Sequence, residues 1–289
     1  MIVWVAGAAG MLGQAVHAEL TARGLTHVDT DRELDLADAA AVDAFAAATP
    51  FTHAINCAAF TAVDACESRE DEASRANSEG AFQLARAARV RGAIAAHVST
   101  DYVFAGTGTT PYPIDAPTDP INAYGRTKLA GEQRFLAELP AGYVVRTSWL
   151  FGQGGPCFPA TVLRLLATRA EVKIVDDQTG RPTWAGDLAS ALVSLVTATT
   201  PVAPGTYHFA NAGAVTWFGF AVAVREAATA RGRHFDATLL PITTAEYPTP
   251  ARRPAWSVLD TSALEQALGI TARPWRDALA DYLQAGWPT

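Results

Sequence analysis

A tyrosine and a lysine lie four residues apart in the segment YGRTK, at Tyr124 and Lys128. In a helix this spacing puts both side chains on one face, about one turn apart. There the ammonium can lower the pKa of the phenol and hold a bound ribose, so that the phenol passes a proton at neutral pH. Only two of the 22 basic residues are lysines, Lys128 and Lys173. Because a planar guanidinium does not replace a compact ammonium, a lysine here indicates a specific role.

Hydroxyl groups end a short apolar segment upstream of this pair. Residues 94–100, IAAHVST, predict a buried strand that ends in Ser99 and Thr100, with Asp101 next. A hydroxyl at the carboxyl end of a strand is placed where it could polarise a carbonyl group. The Pro/Gly-rich loop 105–121 separates this strand from Tyr124, and its length predicts a lid or a binding loop.

A glycine-rich turn follows the first predicted strand. Residues 2–6, IVWVA, read as a buried parallel strand, and GAAGMLG then places Gly7, Gly10 and Gly13 before a helix that stops at Gly24. Such a turn lets backbone amides and the helix N-terminus approach a pyrophosphate. The segment therefore predicts a dinucleotide site.

The preference between NAD and NADP stays open at the sequence level. The next strand, around THVD, ends at Asp29, whose carboxylate would bind the ribose hydroxyls and favour NAD. Arg32 could instead pair with the 2′-phosphate of NADP. Asp35 and Leu36 close the following short segment and could flank the adenine.

Small residues end another predicted strand, at 52–60, where Ala58 and Ala59 would let a cofactor approach the backbone. A long helix is predicted from 65 to 91. Asn77 within it is either a surface residue or a partner for strand-end backbone near the site.

The alternation of strands and helices predicts an α/β fold with a doubly wound parallel sheet of the Rossmann type. Residues 38–48 read as a helix capped by Asp38, and 142–152 as a strand. We place the dinucleotide-binding domain at 1–148 and a smaller, mainly substrate-binding lobe at 149–289, of which 184–200 packs back on the first domain. Within 177–189 we expect a turn and then an Asp-capped helix.

Two adjacent arginines, Arg252 and Arg253, precede a proline in the lobe. On a loop restricted by proline they suit bidentate capture of a diphosphate, although a solvated loop tip is the alternative.

Composition excludes several classes of protein. The net charge is −7, the sequence contains no basic run, and no stretch approaches the roughly twenty apolar residues of a membrane span, so we expect neither nucleic acid nor membrane as a partner. Three cysteines without zinc-type spacing and no signal-like start predict a reduced, cytoplasmic protein.

The glycine turn, the strand-end Ser/Thr pair and Tyr-x-x-x-Lys resemble the extended short-chain dehydrogenase/reductase superfamily. NCAAFTAVDACE, STDYVF, YGRTKLAGE, RTSWLFG, DQTGRPTWAGDLA, YHFAN and ARRPAWSVLDTS narrow the resemblance to the dTDP-4-dehydrorhamnose reductase family, along essentially the whole chain. This implies NADPH-dependent reduction of the C4 ketone of a dTDP-6-deoxy-4-ketohexose, with NADH as a possible donor. The most frequent product of the family is dTDP-L-rhamnose. A monomer or a homodimer is expected.

The resemblance also implies roles for individual residues. Thr100, Tyr124 and Lys128 would be catalytic. The cofactor would meet Gly7, Gly10, Met11, Leu12, Gly13, Asp29, Arg32, Asp35, Leu36, Ala58, Ala59, Thr61 and Ser99 in addition to Tyr124 and Lys128. The sugar nucleotide would meet Thr100, Asp101, Val103, Trp149, Arg252 and Arg253.

Alternatives remain within and beyond this family. Sugar-nucleotide 4,6-dehydratases carry Thr-Asp-Glu where this chain has Thr100, Asp101 and Tyr102, which favours net reduction here. Related ketoreductases of antibiotic deoxysugar pathways, of the dihydrostreptose type, share the motifs, and a non-catalytic regulatory subunit resembles the family as well. The chemistry needs no metal, and the sequence does not place the Mg²⁺ described at a dimer contact in some members.

Overall fold

Strands and helices alternate along the computed structural model, which describes residues 1–286. The strands are β1 (Ile2–Ala6), β2 (Thr26–Thr30), β3 (His53–Asn56), β4 (Ile94–Thr100), β5 (Tyr143–Thr147), β6 (Leu150–Phe151), β7 (Glu171–Val175), β8 (Thr179–Gly180), β9 (Thr183–Trp184), β10 (Gly205–His208), β11 (Val215–Thr216) and β12 (Thr238–Ile242). The helices are α1 (Met11–Ala22), α2 (Ala39–Ala48), α3 (Val63–Cys66), α4 (Glu70–Ser74), α5 (Gly80–Arg91), α6 (Ala123–Glu138), α7 (Phe158–Thr168), α8 (Ala185–Val196), α9 (Trp217–Thr229), α10 (Ser262–Leu268) and α11 (Trp275–Gln284).

The central sheet has the order β2-β1-β3-β4-β5-β10, and all neighbours in it are parallel. The chain leaves β1 for β2 on one side and returns to β3 on the other, so the order reverses between β1 and β3. Open α/β sheets bind ligands in the crevice at such a reversal, at the carboxyl ends of the strands. The predicted doubly wound parallel sheet is confirmed, and its crevice begins at the glycine turn.

Both faces of the sheet are covered by helices, which explains the apolar runs in its strands. Side chains alternate along β1, so Val3 and Val5 join the core with α1 and α8, whereas Trp4 joins the core with α2 and α5. Helix α2 confirms the predicted cap, because Asp38 Oδ1 accepts from the backbone of Ala40 at 3.0 Å.

The predicted helix at 65–91 is wrong as one continuous element. It consists of α3, α4, a π-helical turn at Arg75–Glu79 and α5. The predicted strands at 52–60 and 142–152 are also shorter, since β3 ends at Asn56 and the second divides into β5 and β6. Extra residues in a π turn re-aim a side chain, and such turns are frequent at functional sites.

Asn77 lies in this π turn, fully buried. Its Oδ1 accepts from the backbone N–H of Phe60 at 2.7 Å, and its Nδ2 donates to the Phe60 carbonyl at 3.2 Å. Nδ2 also donates to Thr127 Oγ1 at 3.0 Å. Asn77 is therefore not a surface residue, and its predicted bond to the backbone after the strand is confirmed. Through these bonds Asn77 joins the segment after β3 to helix α6.

A second apolar core lies among α7, α9, α11 and the β7–β12 pair, and it includes Leu163, Phe220 and Leu279. Helix α8 packs instead on the first core through Leu188 and Leu192, while β10 extends the central sheet. The domain boundary at 148/149 stays a prediction, and the last three residues of the predicted lobe lie outside the described residues.

The Asp cap predicted for the helix within 177–189 is wrong, and this helix is α8. It begins at Ala185 with Trp184 at the cap and no side-chain capping bond, so Asp187 is not the cap. Instead, Asp187 Oδ2 accepts from Asn211 Nδ2 at 2.6 Å and from Arg273 Nε at 2.8 Å.

Two further observations concern the described chain as a whole. No helix within residues 1–286 has the length and apolar character needed to cross a bilayer. The three cysteines, Cys57, Cys66 and Cys157, are all free thiols.

We predict that Asn77→Ala lowers the free energy of unfolding by about 1–3 kcal/mol, because it leaves buried backbone groups of Phe60 without partners. Urea unfolding measures the loss. The control is Ser74→Ala, an exposed position three residues away, for which we expect a change within about 0.5 kcal/mol. Equal stability of the two variants would contradict the role given to Asn77.

Candidate active site

The glycine turn after β1 forms a cradle with almost no room for side chains. Gly7 has φ +78°, and a Cβ atom there would lie 2.6 Å from the backbone nitrogen of Ala58. A Cβ at Gly13 would lie 2.1 Å from the Gly7 carbonyl oxygen. Gly10 caps α1 without a side-chain bond, so the first amides of the helix remain available to an anion. The cradle therefore fits a dinucleotide pyrophosphate.

A cleft of about 620 Å³ extends from this cradle along the carboxyl ends of β1, β2 and β3. It brings together seven of the fifteen residues predicted for the cofactor. Its lining comprises Gly7, Ala9, Gly10, Thr30, Asp31, Arg32, Leu34, Asp35, Leu36, Ala37, Cys57, Ala58, Ala59 and Ala76.

Asp29 does not line this cleft, which corrects its predicted role as the ribose ligand. Its Oδ2 lies 2.5 Å from His17 Nδ1, on the side of the sheet covered by α1. Successive side chains of a strand point to opposite faces, so the end of β2 turns Asp29 away from the cleft. Asp31 and Arg32 line it instead, and both the carboxylate and the guanidinium alternatives are therefore present there.

The other predicted cofactor residues fall into two groups. Asp35 lines the cleft and accepts from Arg75 Nη2 at 2.5 Å, which together with the bond from Ala37 lowers the pKa of its carboxyl. Leu12 is buried in the core under α1, so only its backbone can reach a ligand. Met11 packs near the Gly152 turn, and Thr61 is exposed beyond β3.

The hydroxyl groups of Tyr124 and Thr100 meet at the carboxyl end of β4. The Tyr124 phenol lies near Thr100, whose Oγ1 donates to Asp101 Oδ1 at 2.9 Å. Burial raises the pKa of Tyr124, and the negative charge of Asp101 adds to this effect although the Thr100 hydroxyl opposes it. The phenol thus holds its proton throughout the physiological range, as a proton donor must.

Lys128 is almost fully buried one turn after Tyr124. Its Nζ donates to the Val98 carbonyl oxygen at 2.7 Å and lies 3.3 Å from His97 Nε2. Burial lowers the pKa of Lys128 to about 8, and burial together with the ammonium charge keeps the pKa of His97 far below its usual value. The expected lowering of the phenol pKa by Lys128 is not seen: the ammonium is bound to the Val98 carbonyl beside His97, and burial raises the pKa of Tyr124.

The carboxyl ends of β4 and β5 carry further buried hydroxyls. Ser99 Oγ and Thr147 Oγ1 have no hydrogen-bond partner within residues 1–286. These hydroxyl groups without partners lie where the cofactor cleft meets Lys128, and they are suited to form hydrogen bonds with polar groups of a bound nicotinamide. The cradle, the cleft and these hydroxyls together fit a nicotinamide dinucleotide.

Trp149 lies directly beyond β5 in a strained backbone conformation. Its φ of +46° is the only positive value at a non-glycine residue in the described range. Its indole stacks on Trp217 with ring centroids 3.5 Å apart, and Gly180 packs against its other side. A bulky residue held in this region of backbone space points to a functional constraint. The stacked pair forms an aromatic wall beside the catalytic strand ends.

Val103, predicted to meet the sugar nucleotide, turns its side chain into the core. It is fully buried in a small apolar cluster with Phe104 and Leu259, so only its backbone could reach a ligand. The 3₁₀ turn Asp101–Val103 brings this about, because it directs Asp101 to the site and Val103 into the core.

Arg252 and Arg253 lie on a loop that touches the start of the catalytic helix. Asn122, the cap of α6, donates from Nδ2 to the Arg252 carbonyl oxygen at 2.8 Å. The Arg253 guanidinium forms two 2.9 Å bonds with the Asp64 carboxylate, whereas the Arg252 side chain is exposed. The loop is therefore at the site, but Arg253 already holds a carboxylate.

Several residues of the site had no signal in sequence-level reasoning. His97 is buried in β4, and a prediction of its role would have to rest on one polar residue within an apolar run. Glu132 and Arg146 form a buried ion pair at 2.7 Å between α6 and β5. Neither Trp217 nor Asp64 was given a role. Their partners lie far away along the chain, so the pattern within each segment gives no indication of them.

The parallel sheet, the glycine cradle and the Thr100–Tyr124–Lys128 set define a short-chain dehydrogenase/reductase of the extended type. The family model described as the RmlD substrate binding domain matches residues 1–286. A dTDP-4-dehydrorhamnose reductase of Streptomyces griseus is 43% identical over 285 residues, covering 97% of this chain and 92% of the relative. The chain belongs to this reductase family, and the expected resemblance is confirmed.

Two other similar proteins bear on cofactor and substrate. A dTDP-4-keto-6-deoxy-D-glucose reductase of Streptomyces niveus is 40% identical, covering 95% of this chain and 94% of the relative. The crystal structure of dTDP-4-dehydrorhamnose reductase from Bacillus anthracis in complex with NADP has a TM-score of 0.92 at 32% identity, and covers 99% of both chains.

We predict that kcat/KM for NADPH falls as the pH rises through about 8. Lys128 is charged below its pKa of about 8 and loses its charge above it, whereas the raised pKa of Tyr124 keeps the phenol protonated. Because Glu132 raises the pKa of Lys128, Glu132→Gln should move this decline to lower pH, provided that circular dichroism shows an intact fold. A pH profile that declines only above about pH 10, the ordinary range of lysine, would contradict the assignment.

Proposed function

We propose that this chain reduces the C4 ketone of dTDP-4-dehydro-L-rhamnose to give dTDP-L-rhamnose, with NADPH as the hydride donor. The observation that carries the proposal is a protonated Tyr124 phenol near Thr100, one helical turn before the buried Lys128, in a fold that also has a glycine-lined dinucleotide cleft. The family membership and the relatives that reduce dTDP-4-ketosugars support it. The dTDP-4-keto-6-deoxy-D-glucose substrate of one relative is the alternative.

The cofactor would lie with its pyrophosphate on the cradle of Gly7, Gly10 and Gly13 and the first amides of α1, at Met11 and Leu12. Its adenosine end would lie in the cleft, and its nicotinamide ribose at Tyr124 and Lys128. The remaining contacts would come from Arg32, Asp35, Leu36, Ala58, Ala59, Thr61 and Ser99. We do not carry Asp29 into this set, since it faces α1.

A nicotinamide bound with its ribose at Tyr124 and Lys128 would supply the hydride that adds to C4 of the sugar and would leave as NADP⁺. As the C4 carbonyl opens, Thr100 would donate a hydrogen bond to its oxygen, and Tyr124 would transfer its proton to the developing alkoxide. Lys128, held by Val98 and His97, would orient the ribose. The products would be the alcohol at C4, NADP⁺ and an ionised Tyr124, which solvent reprotonates.

The sugar nucleotide would lie between the aromatic wall of Trp149 and Trp217 and the loop of Arg252 and Arg253. Asp101 is buried at the base of this space, where desolvation raises the pKa of its carboxyl to about 7 although the Ser257 and Thr100 hydroxyls oppose the rise. A carboxyl there accepts or donates a hydrogen bond to a sugar hydroxyl.

Net reduction is favoured over dehydration by Tyr102. It stands where the related dehydratases have a glutamate, and burial raises the pKa of its phenol, so it offers no base for elimination. An intact proton-donor set also argues against a non-catalytic subunit. Location in the cytoplasm and the monomer or homodimer state stay predictions.

The deciding experiment follows NADPH oxidation with enzymatically prepared dTDP-4-dehydro-L-rhamnose, next to its epimer dTDP-4-keto-6-deoxy-D-glucose. Preference for the rhamnose precursor supports the proposal, and preference for the epimer would establish the alternative. No oxidation with either sugar would refute the reductase function.

Tyr124→Phe should retain the fold and NADPH binding but lose about 10²–10⁴-fold in kcat, the usual worth of a placed general acid. Single-turnover rates and NADPH fluorescence titration separate the two effects. Tyr247→Phe, at an exposed tyrosine, is the control and should keep full activity. If Tyr124→Phe keeps most of its single-turnover rate, another group is the proton donor.

Arg32→Ala should raise KM for NADPH by about ten- to a hundredfold and leave KM for NADH nearly unchanged, since only NADPH carries the 2′-phosphate. The control is Arg169→Ala, an exposed arginine just after α7. An equal effect of Arg32→Ala on both cofactors would show that the 2′-phosphate lies elsewhere.

Arg252→Ala and Arg253→Ala should each raise KM for the dTDP-sugar by about tenfold or more, because each removes a charge-assisted contact to the diphosphate. We expect NADPH affinity to change little. Arg253→Ala should also lower the melting temperature slightly, because Asp64 loses its partner. Unchanged binding of dTDP by calorimetry in both variants would place the diphosphate site elsewhere.

A further inference from the structure

Two histidines and an aspartate converge on the surface where α1 passes over β2. His17 comes from α1, while His27 and Asp29 are alternate residues of β2 and therefore point to the same face. The three ligand-type atoms of the cluster all lie within 4.8 Å of one another. This cluster lies outside the cofactor cleft, and the proposed reduction does not use it.

Three donor atoms from two elements lie close enough together to share one small cation. Asp29 Oδ2 lies 2.5 Å from His17 Nδ1 and 3.9 Å from His27 Nε2, and the two nitrogens lie 3.1 Å apart. A tetrahedral zinc ion with bonds of about 2.0–2.2 Å holds its ligand atoms roughly 3.4 Å apart, so an ion bound here would widen the His17–Asp29 distance and bring His27 Nε2 closer to Asp29.

The tautomer of His27 leaves a lone pair on Nε2, the ring nitrogen that lies 3.1 Å from His17 Nδ1. His27 Nδ1 lies 3.1 Å from the Leu25 carbonyl oxygen, which can only accept, so Nδ1 carries the ring proton. In the neutral ring Nε2 is then unprotonated. A backbone carbonyl that holds the far nitrogen of a ligand histidine is the usual outer-shell partner in metal sites.

A simple ion pair does not account for the whole arrangement. One proton on His17 Nδ1 satisfies Asp29, but His27 Nε2 then faces a nitrogen whose single proton is already donated. Three acceptors that share one proton are poorly satisfied, whereas a cation satisfies all three.

We propose that His17, His27 and Asp29 form a surface site for a divalent transition metal, Zn²⁺ or a close analogue. Two imidazoles and one carboxylate suit zinc, nickel and copper, whereas Mg²⁺ prefers oxygen ligands. The site is open on one side because the His17 and Asp29 side chains are 51% and 30% exposed. Water completes the coordination there, and the bound ion joins α1 to β2.

Isothermal titration of ZnCl₂ into untagged, chelator-treated protein tests the site. Wild type should bind one Zn²⁺ here, and His27→Ala and Asp29→Asn should each weaken this binding at least about tenfold. Loss of an outer-shell partner lowers metal affinity about 10–100-fold, and loss of a ligand should lower it by no less. His234→Ala, which removes an exposed histidine elsewhere, is the control and should bind as wild type does.

Co²⁺ titration separates this site from the thiols. Weak visible bands without intense near-ultraviolet charge transfer would indicate nitrogen and oxygen ligands, and thiolate charge transfer would place the ion at a cysteine and overturn the proposal. It is equally overturned if wild type binds no Zn²⁺, or if His27→Ala and Asp29→Asn bind Zn²⁺ as tightly as wild type. None of these readouts depends on reductase activity.

Discussion

The site depends on the burial of one ammonium group, that of Lys128. A charge removed from water is costly unless it is paired and hydrogen-bonded. Here the Val98 carbonyl and a neutral His97 bind the ammonium directly, and Glu132 opposes the loss of its charge from one turn further along the helix. Glu132 is in turn held by the buried guanidinium of Arg146. The catalytic helix is thereby fixed to β4 and β5, and with it the position of Tyr124.

Close approach of backbones makes this arrangement possible. A Cβ at Gly131 would lie 2.2 Å from the Asn77 carbonyl oxygen, and one at Gly125 would lie 2.2 Å from that of Tyr102. These two glycines therefore bring α6 against the π turn and against the 3₁₀ turn that follows β4. Gly7 has the same function on the other side of the crevice, where it brings the first turn against Ala58. Small residues at these points set both the depth of the cleft and the separation between its nucleotide and catalytic ends.

Two loops, residues 105–121 and 251–260, hold each other. Tyr112 exchanges backbone hydrogen bonds with the segment around Val258, and its ring stacks on Phe104 at 4.3 Å. The guanidinium of Arg181 donates to the Leu259 and Asn211 carbonyls, so it joins these loops to the segment after β10. The loop predicted as a lid or a binding loop is thus bonded to the same C-terminal segment that carries the two arginines. The substrate contacts proposed for those arginines are consequently coupled to the loop contacts.

Local patterns in the sequence determined the parallel strands, the glycine turn, the cap at Asp38 and the spacing of Tyr124 and Lys128, because each depends on neighbours a few residues away. Tertiary structure decided which groups face the ligand. Strand β2 ends one residue later than predicted, at Thr30, so that Asp29 points away from the cleft. A single 3₁₀ turn buries Val103. Proton affinities also follow from burial, so packing raises the pKa of Tyr124 where the sequence predicted a lowering. The partner of Arg253, which is Asp64, lies 189 residues away, and only the folded chain brings that carboxylate to it.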